Sequence, residues 1–284
     1  MATIYDIITT DIITALEAGV APWQQPWSEA SAPTNLVSRK AYRGVNVWLL
    51  LAARRTSPYW LTFKQALDLG GHVRKGERGR RIVYWHVSEA TDDATGQVER
   101  HFAPRYSTVF NVEQCDGLTV PALEAPAVTV NPDEAAEAIV AGYVAGPTLD
   151  TTGHAAYYRP STDHVTVPPR ARFQDASSYY ATLFHELIHS TGHWSRLRRF
   201  EATTAHRFGS ETYSKEELVA ELGAAYLLGA AGLEAPQVQQ HAAYLKGWIA
   251  ALRGDSRLIL QAAAAAQKAA DHVRGVAAVT LAAA

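Results

Sequence analysis

His185-Glu186-Leu187-Ile188-His189 is the stretch from which this chain is best read. It has the pattern His-Glu-x-x-His. The residues before it, Ala176 to Phe184, contain neither Gly nor Pro. Leu183, Phe184, Leu187 and Ile188 are apolar near helical spacing, so the setting is a helix. On a helix, residues four apart share a face, and His185 and His189 can both address one metal ion. Glu186 stands beside the first of them, where a carboxylate can act as base on water at the metal. Five residues alone are only moderately specific, because two solvated histidines on a helix surface have the same spacing. The downstream sequence discriminates.

A hydrolytic zinc site needs three protein ligands and an open position. The third is expected from a second helix, and Lys215 to Leu228 suits that role. Ser214 followed by Glu216 and Glu217 reads as a helix start, with a capping side chain and acids in the first turn. Glu217 and Glu221 are four apart on a face shared with small and apolar residues. A carboxylate buried there needs a partner, which a metal or a metal-bound imidazole supplies. The reading assigns Glu217 as third ligand and Glu221 as the acceptor holding a ligand histidine by its other ring nitrogen; the reverse assignment stays open. Glu216 reads as surface charge. His193 lies four residues beyond His189, but Thr191-Gly192 ends the helical pattern, so it reads as a cleft-wall or structural residue, with ligation the lesser option. Tyr213, Tyr226 and His206 are the candidates to stabilise an oxyanion.

The whole chain sets bounds. Its 284 residues suggest one large or two medium domains, and a formal charge of −2 with 48% hydrophobic residues describes an ordinary soluble protein. One cysteine, Cys115, excludes an intramolecular disulfide framework and fits a reducing compartment. Met1 to Val20 has apolar residues at helical spacing but contains Asp6, Asp11 and Glu17, so it is read as neither signal peptide nor membrane span.

Charge is unevenly spread. Between Asn35 and His86 lie Lys40, Lys64, Lys75 and eight arginines, opposed by Asp68 and Glu77, so this segment carries about +9. It also holds Tyr42, Trp48, Tyr59, Trp60, Phe63, Tyr84 and Trp85. Cations follow phosphates and rings stack on exposed bases, so the mixture suits single-stranded nucleic acid. The competing reading makes most rings core and the arginines a solubilising face; core is the better reading for Trp48. Candidate nucleic-acid contacts are Arg43, Asn46, Tyr59, Trp60, Lys64, Arg74, Lys75, Arg78, Arg80 and Arg81.

Helices are expected over Ile4–Glu17, Arg43–Arg54, Thr62–Leu69, Glu134–Gly142, Gln237–Leu252 and Ser256–Val273. Strands are expected over Arg81–Val87 and Ser107–Val112, with a turn at Asp92–Gly96. Ala155–Tyr158 and His164–Val167 read as short antiparallel strands about a turn at Pro160–Asp163. The fold class is α+β: an N-terminal α+β domain over residues 1–118, a Pro/Ala-rich linker over 119–131, and a mainly helical domain with a small antiparallel sheet over 132–284.

Several blocks also carry a family resemblance. Gly19-Val20-Ala21-Pro22-Trp23, Tyr42-Arg43-Gly44-Val45-Asn46, Tyr59 to Ala66, Gly70 to Glu77 and Val109 to Gln114 resemble the N-terminal region of ArdC-type antirestriction proteins of conjugative plasmids and phages. Ala156 to Asp163, Tyr179 to His193, Glu216 to Gly223 and Trp248 to Asp271 resemble that family's zincin-type peptidase region. A similar first domain occurs in plasmid primase-related proteins. The resemblance implies a single-stranded-DNA-binding domain and a metallopeptidase fold. It implies Zn²⁺, Mn²⁺ or another divalent ion at His185, His189 and Glu217, in a protein of the bacterial cytoplasm that protects incoming DNA from restriction. The implied partners are single-stranded DNA and a host protein such as a restriction component, with no membrane. Two other functions compete: a cytosolic zinc metalloprotease whose basic domain recruits a host protein, and a DNA-binding protein with a structural metal only.

Overall fold

Thr3 starts helix α1 (Ile4–Glu17) with a reciprocal cap: its hydroxyl accepts from the Asp6 N–H, and the Asp6 carboxylate accepts from the Thr3 N–H. The computed structural model describes residues 2–28, 31–91, 98–122, 131–200, 211–236 and 242–277. After α1 come β1 (Thr34–Asn35), α2 (Val45–Leu51), β2 (Tyr59–Thr62), α3 (Phe63–Asp68), β3 (His72–Val73), β4 (Arg80–Thr91), β5 (Val98–Asn111) and β6 (Cys115–Asp116). Four strands form a sheet in the order β1-β2-β5-β4, parallel only between β1 and β2; β3 and β6 pair separately.

The two expected strands are the cores of β4 and β5, which run on in unbroken register from Arg80↔Val109 to Thr91↔Val98. Their outer ends were not legible because Ser88 to Thr91 and Val98 to His101 lack apolar alternation. The turn expected at Asp92–Gly96 lies outside the described residues. β4 is an edge strand, and its backbone is not left open. The Asn46 side-chain amide donates to the Val83 carbonyl (2.8 Å) and its oxygen accepts from the Val83 N–H (2.7 Å), closing the edge with α2.

The second half contains α4 (Pro132–Ala141), β7 (Thr148–Asp150), β8 (Tyr157–Arg159), β9 (His164–Thr166), α5 (Ala176–Ser190), α6 (Glu211–Ala231), α7 (Ala242–Gly254) and α8 (Leu258–Val273). β8 and β9 are the expected antiparallel pair. β7 adds to β9 in parallel, so this sheet is mixed rather than purely antiparallel, with β8 at one edge. The class is α+β. α6 begins at Glu211, so Ser214 lies inside the helix rather than at its start.

One hydrophobic cluster runs through both halves. It takes Ile8, Ile12 and Leu16 from α1 and Trp48 from α2, and joins them to Phe184 and Ile188 of α5, Leu222 of α6 and Ile259 of α8. Trp27 lies edge-on to Trp48 and to Tyr226, and Gly229 of α6 makes room for it: a Cβ there would come within 2.6 Å of the Trp27 ring. Polar ties follow the same seam. Arg43 pairs with Asp271, the Tyr226 hydroxyl donates to the Gly44 carbonyl (2.9 Å), and the Thr9 hydroxyl donates to the Ser256 carbonyl (2.7 Å).

Candidate metal centre and nucleic-acid surface

Asp175 caps α5 by accepting from the Ser178 N–H (2.7 Å), and Thr191 closes the helix, so both motif histidines lie on regular α-helix. α6 packs against this helix at close range. The closest approach is Gly223, where a Cβ would sit 2.8 Å from three atoms of Ile188. That packing brings the first turns of α6 over the histidines.

The result is a triangle of ligand atoms. His185 Nε2 and His189 Nε2 are 3.1 Å apart, Glu217 Oε2 is 3.5 Å from His185 Nε2, and Glu217 Oε1 is 3.5 Å from His189 Nε2. A tetrahedral ion bound at roughly 2.0–2.2 Å separates its ligand atoms by about 3.4 Å, so the three side chains fit a divalent ion. Among the described residues this is the one group of three or more His, Cys, Asp or Glu side chains that could hold a metal. Each is partly exposed, which leaves a side open to water and substrate.

The supporting residues differ from the expectation. Glu216, expected as surface charge, is the carboxylate on a motif histidine: its Oε1 lies 3.3 Å from His189 Nδ1. A proton on Nδ1 donated to Glu216 leaves the Nε2 lone pair for a metal. Arg199 in turn grips Glu216 with two hydrogen bonds, at 3.0 and 2.7 Å, and donates to the Ile188 carbonyl and the Thr191 hydroxyl. Burial pushes the Glu216 carboxyl up, but the bonds from His189 and Arg199 outweigh it and hold it low. Glu221 accepts instead from the Tyr244 hydroxyl (3.4 Å), and its charge acts on His185 through space. Spacing alone could not choose among Glu216, Glu217 and Glu221; the rotation of α6 against α5 chooses.

Glu186 is 8% exposed. Burial raises its carboxyl pKa, while the two histidines and the Tyr158 N–H of β8 pull the other way. Beyond the motif, His193 is a turn residue, its Nδ1 3.3 Å from the Ser195 N–H and 2.7 Å from the Ser195 hydroxyl. Tyr226 is buried against Trp48 and bonded to Gly44, so it is not an oxyanion donor. His206 and the Tyr213 side chain lie outside the described residues.

The candidate nucleic-acid residues divide sharply. Trp60 is 2% exposed and belongs to the core, so it cannot stack on a base. Asn46 is spent on the edge of β4. Arg43 is paired with Asp271, Arg81 with Asp11 (2.8 Å), and Arg74 with Glu77 and Asp116 (3.0 and 3.2 Å). Tyr59 is half-buried beneath Arg39. Lys64, Lys75, Arg78 and Arg80 are exposed and make no ion pair among the described residues. Arg78, Arg80, Arg81 and Arg55 line an open polar cavity of about 660 Å³. Close by on the β4–β5 ribbon are rings missing from the candidate set. Tyr84 shares a face with Arg105, and Trp85 shares the other with Tyr106; all three rings are 45–49% exposed. Aromatic content signalled them, but only the register and the buried side of the sheet separate them from Trp48 and Trp60.

The fold and its histidine helix define a zincin-like metallopeptidase region joined to an N-terminal region of a different type. Residues 134–265 match the family model described as zincin-like metallopeptidase, and residues 2–110 match the N-terminal domain of anti-restriction factor ArdC. Crystal structures of the antirestriction protein ArdC from plasmid R388 superpose over 98% of this chain. The metal-free form has 38% identity and a TM-score of 0.76 over 98% of its own chain; the Mn(II)-bound form has 37% and 0.77 over 99%. The chain belongs to the ArdC antirestriction family. It is also 41% identical, over 94% of its length and 90% of the relative's, to the uncharacterized protein y4eC of Sinorhizobium fredii. Two DNA primases TraC of Escherichia coli match over 95% of this chain at 41% and 42% identity, but the chain spans only 20% and 27% of their lengths.

Proposed function

We propose that this protein acts in antirestriction by binding single-stranded DNA, and that it carries a divalent-metal peptidase site at His185, His189 and Glu217 with Glu186 as general base. The observation that carries the metal reading is the convergence of His185 Nε2, His189 Nε2 and the Glu217 carboxylate at 3.1–3.5 Å beside a buried glutamate. A Mn(II)-bound relative of the same fold supports a divalent ion, Zn²⁺ or Mn²⁺. When bound, such an ion supplies Lewis acidity: it polarises a carbonyl and lowers the pKa of water. Glu186, largely shielded from solvent, would take a proton from water at the site and pass it to the departing amine. Glu216 and Arg199 hold the tautomer and orientation of His189. A host protein, such as a restriction component, is the substrate this reading requires.

The DNA reading rests on two sets of exposed side chains, the cations Lys64, Lys75, Arg78 and Arg80 and the rings Tyr84, Trp85 and Tyr106, with residues 1–118 as the DNA-binding part and 132–284 as the peptidase part. In this arrangement the free cations follow phosphates and the exposed rings meet bases. The test is binding of labelled single-stranded and duplex DNA of equal length to the full chain across a salt series, alongside Glu186→Gln. Salt-sensitive preference for the single strand is expected, and no binding to either form sinks the DNA reading. Glu186→Gln is expected to keep metal and DNA while losing hydrolysis. Antirestriction that survives this change assigns protection to DNA binding rather than cleavage.

A further inference from the structure

On the His185 side of the metal triangle lies a cavity of about 450 Å³. Its lining is mostly apolar: Phe173, Ala225, Leu228 and Tyr244 come from the C-terminal half, and Trp23 comes from the N-terminal half. His185 and Glu221 both line it, so the cavity adjoins one of the three candidate ligands.

The N-terminal wall is built in, not merely adjacent. Trp23 is 1% exposed and packs edge-on to Trp248. Its indole Nε1 donates to the Tyr244 hydroxyl (3.0 Å), which donates to Glu221 (3.4 Å). The chain Trp23–Tyr244–Glu221 therefore ends beside a ligand histidine. Gln24, the next residue, also lines the cavity and carries a buried Oε1 with no donor among the described residues. Strand β8 is an edge of its sheet and packs against the motif helix α5, so an extended backbone can pair with it there.

We infer that this cavity is the specificity pocket of the site, that it receives one large apolar side chain of an extended peptide, and that Trp23 makes the N-terminal half part of the substrate site. The inference rests on the metallopeptidase reading and adds the class of residue accepted. Aromatic and aliphatic walls favour Leu or Phe over small residues, because burying such a side chain is favourable, and the Glu221 carboxylate disfavours an acidic one.

The experiment is calorimetric binding of phenylalanine hydroxamate and glycine hydroxamate to the full-length protein loaded with Mn(II). Both probes share the chelating group, so their difference reads the side chain alone. Phenylalanine hydroxamate is expected to bind roughly tenfold more tightly or better. Ala181→Phe, at a half-buried wall position on α5, and Ala225→Leu, on α6, are each expected to shrink that ratio towards one while glycine hydroxamate binds as before. Equal affinity of the two probes for the unmodified protein overturns the inference, as does a ratio that neither substitution moves. Side-chain preference without cleavage of any peptide in a mixed library counts against the peptidase reading and leaves the pocket standing. Cleavage without preference for a large apolar residue does the reverse.

Discussion

Glu216 shows how one residue changes role between the chain and the fold. In sequence it is one of two adjacent acids on a helix; in space it is the carboxylate joining His189 to Arg199. Glu216→Ala should weaken Mn(II) or Zn(II) binding by about 10–100-fold, because the imidazole loses the group that orients it. Titration calorimetry checks this, and unchanged affinity would return Glu216 to a surface role. Glu186→Gln should leave that affinity within a few-fold while lowering any peptide hydrolysis by about 10²–10⁴-fold. Asp163 supplies a pH prediction. Burial works to raise its carboxyl, but hydrogen bonds from Arg196 (2.9 Å) and Tyr158 (2.8 Å), with the Arg196 charge, outweigh it and hold it low. A depressed carboxyl adds stability above its unfolded pKa of about 3.9, and that stability is lost as pH falls through the folded value. Asp163→Asn should therefore melt lower than the unmodified protein at pH 7, and the gap should narrow below about pH 4. Melting curves that stay parallel from pH 7 to pH 3 would remove Asp163 from this role.

At the scale of elements, one close approach positions the candidate ligands. α5 and α6 meet where Gly223 faces Ile188, and the ligand triangle depends on that distance. Gly223→Val should cost about 1–3 kcal/mol through overpacking and should weaken metal binding as well, since Glu217 lies on the same rigid helix. Thermal melting with metal titration tests the pair of effects; a stability loss with intact metal affinity would separate packing from the site. The β4–β5 ribbon is the other element on which the proposed function rests. Trp85→Ala should weaken single-stranded DNA binding by about 1–3 kcal/mol with little change in salt dependence. Replacing Arg78 and Arg80 by Ala should lower the salt slope by about 0.7 for each phosphate that these side chains neutralise. Fluorescence anisotropy at several salt concentrations distinguishes a ring that stacks from a cation that follows the backbone.

At the scale of the molecule, the halves matched by different families share one core. Ile8, Trp23 and Trp48 are buried against helices that begin more than a hundred residues later. The fragment Met1 to Leu118 should thus expose the apolar face of α1 and fail to show a cooperative melt, whereas the full chain should melt cooperatively; a folded fragment seen by circular dichroism would contradict the shared core. Arg43→Ala should lower the melting temperature rather than the salt slope of DNA binding, because it removes the ion pair that holds Asp271 at the seam. The motif helix, the helices at both ends, the strand cores and the α+β class were all legible in the sequence. They depend on local periodicity, caps and breakers, which neighbouring residues set among themselves. The pair His185 and His189 was legible for the same reason, since helical spacing alone puts both on one face. Tertiary structure decided which glutamate meets which histidine, which tryptophans are core and which meet solvent, which arginines are already paired, and that Trp23 lines the cavity at His185. Those outcomes depend on how helices rotate and sheets stack against partners far away in the chain, and spacing along the chain carries no record of that packing.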